Sequence, residues 1–475
     1  MFNIKSLCSR LFSASLTICL SVGAITFSTP VRVMADKSNT VSWPVGPELY
    51  GEAACLIEAS TGTVLYEKNS HNRMYPASIT KILTALVTIE NCELDEEVYF
   101  SEECVNSLSY DDANMAMQAG EILPVEDCLY GLMLKSANEV ATALGEHVSG
   151  STEEFAKLMT ERAKEAGALD SNFMNANGLH NDNHYITAYD MCMITRAAVS
   201  NPVFLTISGT TGYTISASNY KDPFEIYNRH KMLFSGSGFY YEGILGGKTG
   251  FTDQAGTTLV TYAQRDGMTL IAVVLHSNGY NVYNDTALLF DYGFDNFHLV
   301  NAANNEHRFE ENTADYTDKL TPLFGDNDTS SMYIDSSSNI VLPESATFDN
   351  VTSSISYDNN STMDESGDYI IATLNYTLGD HNVGSANILL DGSSIHTSAI
   401  SSDNKIADDS STTNNNTPTK KFSFKMPSIK INKGIVKAVT ITLAIIILLT
   451  VVIVLIRKKQ KQLNEVRARK RRRNY

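Results

Sequence analysis

The sequence predicts an α+β protein: an antiparallel sheet flanked by helices, with a helical lobe inserted between its early and late strands. Three observations carry that reading. Two strand-like runs stand near residue 60, helix-period patterns fill roughly residues 80–200, and strand patterns return after residue 255. A chain of 475 residues is long enough for more than one core, and the pattern beyond residue 300 changes character again.

In chain order, Ala53–Glu58 and Thr63–Lys68 flank the turn Ala59-Ser60-Thr61-Gly62, which reads as a hairpin. Helix spacing follows from Ile79 to Ile89, where Ile82, Leu83, Leu86 and Val87 form an apolar stripe after Pro76. Further helices are expected at Val125–Leu134, Glu139–Val148 and Glu153–Ala166. Strands return at Thr257–Ala263 and Thr269–His276 across Gln264-Arg265-Asp266-Gly267, and a helix is expected over Asn281–Tyr292. Residues 40–300 are therefore assigned to one domain, and residues 315–400, with short β runs at Ser338–Leu342, Tyr369–Leu378 and Ala386–Leu390, to a small β-rich domain. Residues 401–433 are rich in Ser, Asn, Thr and Lys and read as a flexible linker.

Both ends speak of export. Residues 1–35 have a basic start, an apolar stretch and a plausible cut after Val33-Met34-Ala35, the pattern of a signal peptide. Residues 434–456 contain an uncharged run from Ala438 to Ile456, about long enough to cross a hydrocarbon core. Residues 457–475 form a basic tail, which positive-inside logic places in the cytoplasm with the rest of the chain outside. The cell membrane is thus an expected partner. Net charge is −18 overall; with +3 on residues 1–35 and +9 on residues 457–475, the intervening residues 36–456 carry −30. So acidic a body excludes nucleic acid as a partner. Five of the seven cysteines lie outside the leader, with neither a disulfide framework nor Cys-x-x-Cys spacing; Cys92 and Cys104 are the one pair considered for a bridge, and buried thiols are preferred. No metal site or cofactor is expected.

Chemistry concentrates in three short strings. Ser78-Ile79-Thr80-Lys81 places a hydroxyl and an amine one helical turn apart, at the start of a helix whose free N–H groups favour a developing oxyanion. A serine needs a neighbouring base, and a lysine serves only if burial or a like charge destabilises its ammonium. Lys248, in Lys248-Thr249-Gly250, is the candidate like charge, and Ser136-Ala137-Asn138 supplies a hydroxyl and an amide. Singly these strings are weak: Ser-x-x-Lys recurs at Ser218-Asn219-Tyr220-Lys221. Their order and context carry the weight.

Together the three strings, with Tyr75–Ala85, Phe173–His180 and Gly247–Gly256 around them, resemble the low-molecular-mass penicillin-binding proteins, the serine-type D-alanyl-D-alanine carboxypeptidases. The resemblance covers about residues 45–300 and implies a β-lactamase/transpeptidase-like fold. It implies Ser78 as the acylated nucleophile, Lys81 as general base, Ser136 as proton relay and Asn138 as holder of the substrate amide. Lys248 and Thr249 would bind the terminal carboxylate, with Gly250 beside them, and the N–H groups of Ser78 and Phe251 would form the oxyanion hole. The implied partners are a peptidoglycan stem peptide ending in D-Ala-D-Ala and β-lactam antibiotics. Two departures stand out: Ser-Ala-Asn-Glu replaces the frequent Ser-Gly-Asn-Asp, and Gly247 stands where a branched apolar residue is common. A β-lactamase and a non-catalytic wall-binding protein are the alternatives; no Glu-x-x-Leu-Asn string supports the first, and retention of every reacting group opposes the second.

Overall fold

The computed structural model describes residues 41–307, 332–363 and 367–391. The expected signal peptide, linker, membrane span and basic tail lie outside the described residues, and among the described residues no helix is long and apolar enough to cross a membrane.

The main sheet is antiparallel and five-stranded, in the order β2-β1-β9-β8-β7. Its strands are β1 (Ala53–Glu58), β2 (Val64–Lys68), β7 (Ile244–Thr252), β8 (Gly256–Arg265) and β9 (Met268–Ser277). The first strand pairs along its whole length with β9, from Ala53 opposite Leu275 to Glu58 opposite Leu270. Everything between β2 and β7 is therefore an insertion, and it contains the short ribbons β3 (Glu97–Tyr99) with β4 (Ile122–Pro124) and β5 (Gly212–Ile215) with β6 (Phe224–Tyr227). Its helices are α1 (Lys81–Asn91), α2 (Glu102–Asn106), α3 (Val125–Tyr130), α4 (Asn138–Ser149), α5 (Thr152–Glu165), α6 (Ala188–Val199) and α7 (Pro202–Gly209).

One core joins this lobe to one face of the sheet, bringing Ile57, Val260 and Ile271 against Ile82, Leu86, Leu144 and Ile194. The other face is covered by α8 (Asn281–Asn296) through Leu289 and Phe290. Alternation along the strands explains the division: Ala54, Leu56 and Leu270 face α8, while Ala53, Cys55 and Ile271 face the lobe. Each fully buried Leu or Ile contributes about 1.5–3 kcal/mol.

Helix α1 differs from the amphipathic helix the sequence suggests. All residues from Lys81 to Thr88 are buried, because the lobe encloses the helix on every side. Its polar side chains are therefore tied down: Thr84 Oγ1 donates to Ala176 O at 2.6 Å and Thr88 Oγ1 to Thr84 O at 2.8 Å.

Beyond α8 the chain passes directly into β10 (Phe297–Asn301), which belongs to the second sheet. That sheet runs β10-β12-β15-β14-β13, with β11 (Met332–Ile334) pairing β15 (His381–Leu390). Its other strands are β12 (Asn339–Pro343), β13 (Thr352–Met363) and β14 (Tyr369–Leu378), and it holds a separate core around Ile340, Leu374 and Ile388. The single tryptophan, Trp43, packs where the two sheets meet: it stacks on His381 with centroids 4.0 Å apart and donates to Leu65 O at 3.0 Å. All five described cysteines are free thiols, four of them buried, so Cys92 and Cys104 form no bridge.

Candidate active site

Ser78 lies in a 3-10 turn, Ala77–Thr80, that leads without a break into α1. Ala77 has a left-handed φ of 53°. Such a conformation costs a non-glycine residue about 1–2 kcal/mol and persists where the surroundings impose it. Two contacts impose it here. Thr258 Oγ1 donates to Pro76 O at 2.9 Å, and Gly178 lies against the Ala77 carbonyl so closely that a Cβ there would sit 1.9 Å from the oxygen. Gly178 has φ of +83°, which only glycine adopts freely.

Lys81 Nζ is the hub. It lies 2.9 Å from Ser78 Oγ, 2.7 Å from Asn138 Oδ1 and 2.6 Å from the main-chain oxygen of Asn177. The side chain is fully buried. Burial first, and the neighbouring Lys248 charge second, push its ammonium well below the usual lysine range; Glu139 and Asp112 oppose the shift.

A π-helical turn, Gly131–Lys135, ends in Ser136 at a left-handed φ of 63°. The expected helix over Val125–Leu134 is thus an α-helix to Tyr130 and a π turn beyond it, and widened turns of this kind recur at functional sites. The kink sets Ser136 Oγ 3.0 Å from Lys248 Nζ, while Asn138 begins α4 and faces Lys81.

Lys248-Thr249-Gly250 lies within edge strand β7. Its glycines are there for space: a Cβ at Gly247 would lie 2.3 Å from Val260 O and 2.6 Å from His230 Nε2. That contact accounts for the departure at Gly247. Gly250 packs on the nucleophile turn, its ideal Cβ position being 3.0 Å from Ser78 N. Lys248 Nζ also donates to Thr249 O at 2.9 Å, and burial, then the Arg229 charge, lower its pKa to about 7. Phe251 is 66% exposed, so it offers the cleft its backbone rather than a packed ring.

The structure thus brings Ser78, Lys81 and Asn138 into one hydrogen-bonded group and Ser136 with Lys248 into a second, joined through Ala137. The chance match at Ser218 and Lys221 stays outside it: Ser218 Oγ donates to Glu121 Oε1 at 2.6 Å and Lys221 Nζ to Ala116 O at 2.5 Å.

Sequence reasoning missed four participants. Asn177 acts through a carbonyl, which no side chain signals, although Asn-Gly marks its turn. Arg229 registers electrostatically on both lysines. Glu139, the departure from the frequent Asp, is buried; its Oε1 accepts the Met115 N–H at 2.6 Å, and burial raises its pKa. His184 sits 3.1 Å from Thr80 Oγ1, and burial, then Lys81, lower its pKa to about 3, so it stays neutral.

A serine beside a buried amine of lowered pKa, on the seam between an antiparallel sheet and a mainly helical lobe, defines a class: the α+β fold of penicillin-binding proteins and DD-peptidases. More narrowly, the chain belongs to the D-alanyl-D-alanine carboxypeptidase family, whose model matches residues 37–279. It is 32% identical over 265 residues to the D-alanyl-D-alanine carboxypeptidase DacF of Bacillus subtilis, a match covering 54% of this chain and 64% of that protein. A D-alanyl-D-alanine carboxypeptidase from a Streptomyces strain is 31% identical over 264 residues, 52% of this chain and 88% of its own. The crystal structure of a Streptomyces DD-transpeptidase superposes with a TM-score of 0.50 at 29% identity, covering 53% of this chain and all of that one. The resemblance read from the three strings is therefore a family relationship.

Proposed function

We propose that the protein is a membrane-anchored serine D-alanyl-D-alanine carboxypeptidase that removes the terminal D-Ala from peptidoglycan stem peptides outside the cell, and that β-lactam antibiotics acylate the same serine. The coordination of Lys81 Nζ carries this reading. A neutral amine has two hydrogens and one lone pair. Asn138 Oδ1 and Asn177 O take the two hydrogens, which leaves the lone pair for the third neighbour, Ser78 Oγ. Burial, with the Lys248 charge, lowers the pKa of the amine and so favours the unprotonated form that a base needs.

The steps follow from the positions. Ser78 Oγ attacks the penultimate carbonyl while its proton passes to Lys81. The oxyanion is held by the backbone N–H groups of Ser78 and Phe251, each worth about 3–4 kcal/mol of barrier. Ser136 hands its proton to the departing D-Ala amine as the C–N bond breaks and regains one from Lys81, which carries the proton taken from Ser78, while Lys248 lies 3.0 Å behind Ser136 and keeps its charge. Water then hydrolyses the acyl-enzyme. Lys248, Thr249 and Arg229 hold the terminal carboxylate, the anion that separates a carboxypeptidase substrate from an internal peptide bond. Anchoring rests on the uncharged run from Ala438 to Ile456 and its basic flank.

Labelling by a fluorescent penicillin, with mass spectrometry of the products from a defined pentapeptide, tests the proposal. Labelling lost in Ser78→Ala, together with release of a single D-Ala, is the expected result. A label that survives Ser78→Ala overturns it, and rapid turnover of the penicilloyl adduct points to a β-lactamase instead.

A further inference from the structure

We propose that Cys92, Glu96 and His147 form a binding site for one zinc-type divalent ion at the end of the helical lobe remote from Ser78. The three donors are a thiol, a carboxylate and an imidazole, and their ligand atoms all lie within 4.8 Å of one another. Tetrahedral bonds of about 2.0–2.3 Å place such atoms roughly 3.3–3.6 Å apart, so about 1 Å of side-chain movement closes the set. His147 Nε2 is already 3.0 Å from Glu96 Oε2. The other Glu96 oxygen accepts the Glu93 N–H at 2.7 Å, the kind of second contact that fixes the aim of a metal-binding carboxylate. The site is open to entry, His147 and Glu96 being 22% and 43% exposed and Cys92 half-buried.

Donor type selects the ion. Sulfur and imidazole nitrogen favour zinc, cobalt and cadmium over calcium and magnesium, which take oxygen. Three protein ligands leave a fourth position for water. The backbone adds to the case: Cys92 closes α1, its N–H bonded to Thr88 O at 3.0 Å, and His147 stands in the last turn of α4. Two helix C-termini, each carrying partial negative charge, thus converge on the position of the cation.

The placement gives the ion a consequence. Helices α1 and α4 begin at Lys81 and Asn138, whose side chains are bonded at 2.7 Å, and these helices, 11 and 12 residues long, end beside the proposed site. An ion there ties together the far ends of the two helices, each about 16–18 Å long, that hold the base and its amide partner. Ligation takes Cys92 as thiolate, its proton leaving to solvent.

Cobalt titration of the full-length protein, reduced with a phosphine and freed of metal, tests the site. The expected result is a thiolate-to-cobalt charge-transfer band with tetrahedral visible bands, displaced by zinc. Cys92→Ser should remove the charge-transfer band, and His147→Ala should weaken cobalt binding tenfold or more, about 1.4 kcal/mol. Both variants should still react with penicillin, which shows that they fold. Independently of any variant, zinc should slow alkylation of Cys92 by iodoacetamide, read by peptide mass spectrometry. No charge-transfer band in the wild-type protein, a band unchanged in Cys92→Ser, or alkylation indifferent to zinc each overturns the proposal.

Discussion

Replacing Gly178 by alanine tests how the nucleophile turn is held. The residue lies 100 positions from Ser78 in sequence, yet a Cβ there meets the Ala77 carbonyl oxygen at 1.9 Å and Thr80 Oγ1 at 2.9 Å. Atoms cannot approach so closely, and relieving the overlap to 3.0 Å moves one backbone relative to the other by more than about 1 Å. The Ala77 carbonyl and the Ser78 N–H share one peptide plane, so the movement rotates the proposed oxyanion donor. A misplacement of about 1 Å in catalytic geometry costs on the order of 10²-fold in rate. The left-handed φ of +83° adds about 1–2 kcal/mol of strain for any side chain. Gly150→Ala is the matched control: its φ is +76°, but no atom lies within 4 Å of the added carbon. Both variants should lose about 1–2 kcal/mol of stability from the backbone term, read as a drop in Tm. Gly178→Ala alone should lose about 10²-fold in the second-order rate of acylation by a fluorescent penicillin. Acylation within about threefold of wild type in a folded Gly178→Ala protein, a difference of about 0.65 kcal/mol, would refute the reasoning.

Four further outcomes follow from the site. Lys81→Ala should abolish acylation, by at least the 10²–10⁴-fold typical of a lost general base, while circular dichroism shows an intact fold; wild-type acylation sinks the base assignment. Lys248→Ala should cut kcat/KM far more for a peptide with a free terminal carboxylate than for its amide, and an equal loss on both contradicts the carboxylate role. Because the Lys248 pKa is lowered to about 7, raising the pH through that value discharges the cation. The kcat/KM of the carboxylate substrate should therefore fall on the alkaline side near pH 7, and the amide should lack that limb. The same depression makes folding release a proton between about pH 7 and the ordinary lysine range, so stability rises with pH across that window. Lys248→Met, freed of the buried charge, should melt higher than wild type at pH 7 by about 2–4 °C for each kcal/mol gained; an unchanged or lower Tm, with the fold intact, counts against that penalty.

The amino-acid order by itself determined the elements whose physics is local. Strand β1 and helix α8 begin where a strand-like run and helix spacing put them, and the hairpin over residues 59–62 follows from its turn residues. The serine, lysine and amide of the candidate site were legible because each is a side chain whose chemistry travels with its identity. Tertiary structure alone decided the rest. The strand that carries Lys248-Thr249-Gly250 has no signature of its own, and the glycine before it is required only because Val260 and His230 fill the space a side chain would take. Helix α1 reads as amphipathic until the lobe closes around it. The carbonyl of Asn177, the charge of Arg229 and the meeting of Cys92 with His147 join residues 55–148 positions apart. Periodicity reports the faces of one element and composition its solubility. Neither reports which backbone oxygen the folded chain brings within 3 Å of an amine, or which distant charge acts on it, because that placement belongs to the packing of many elements at once.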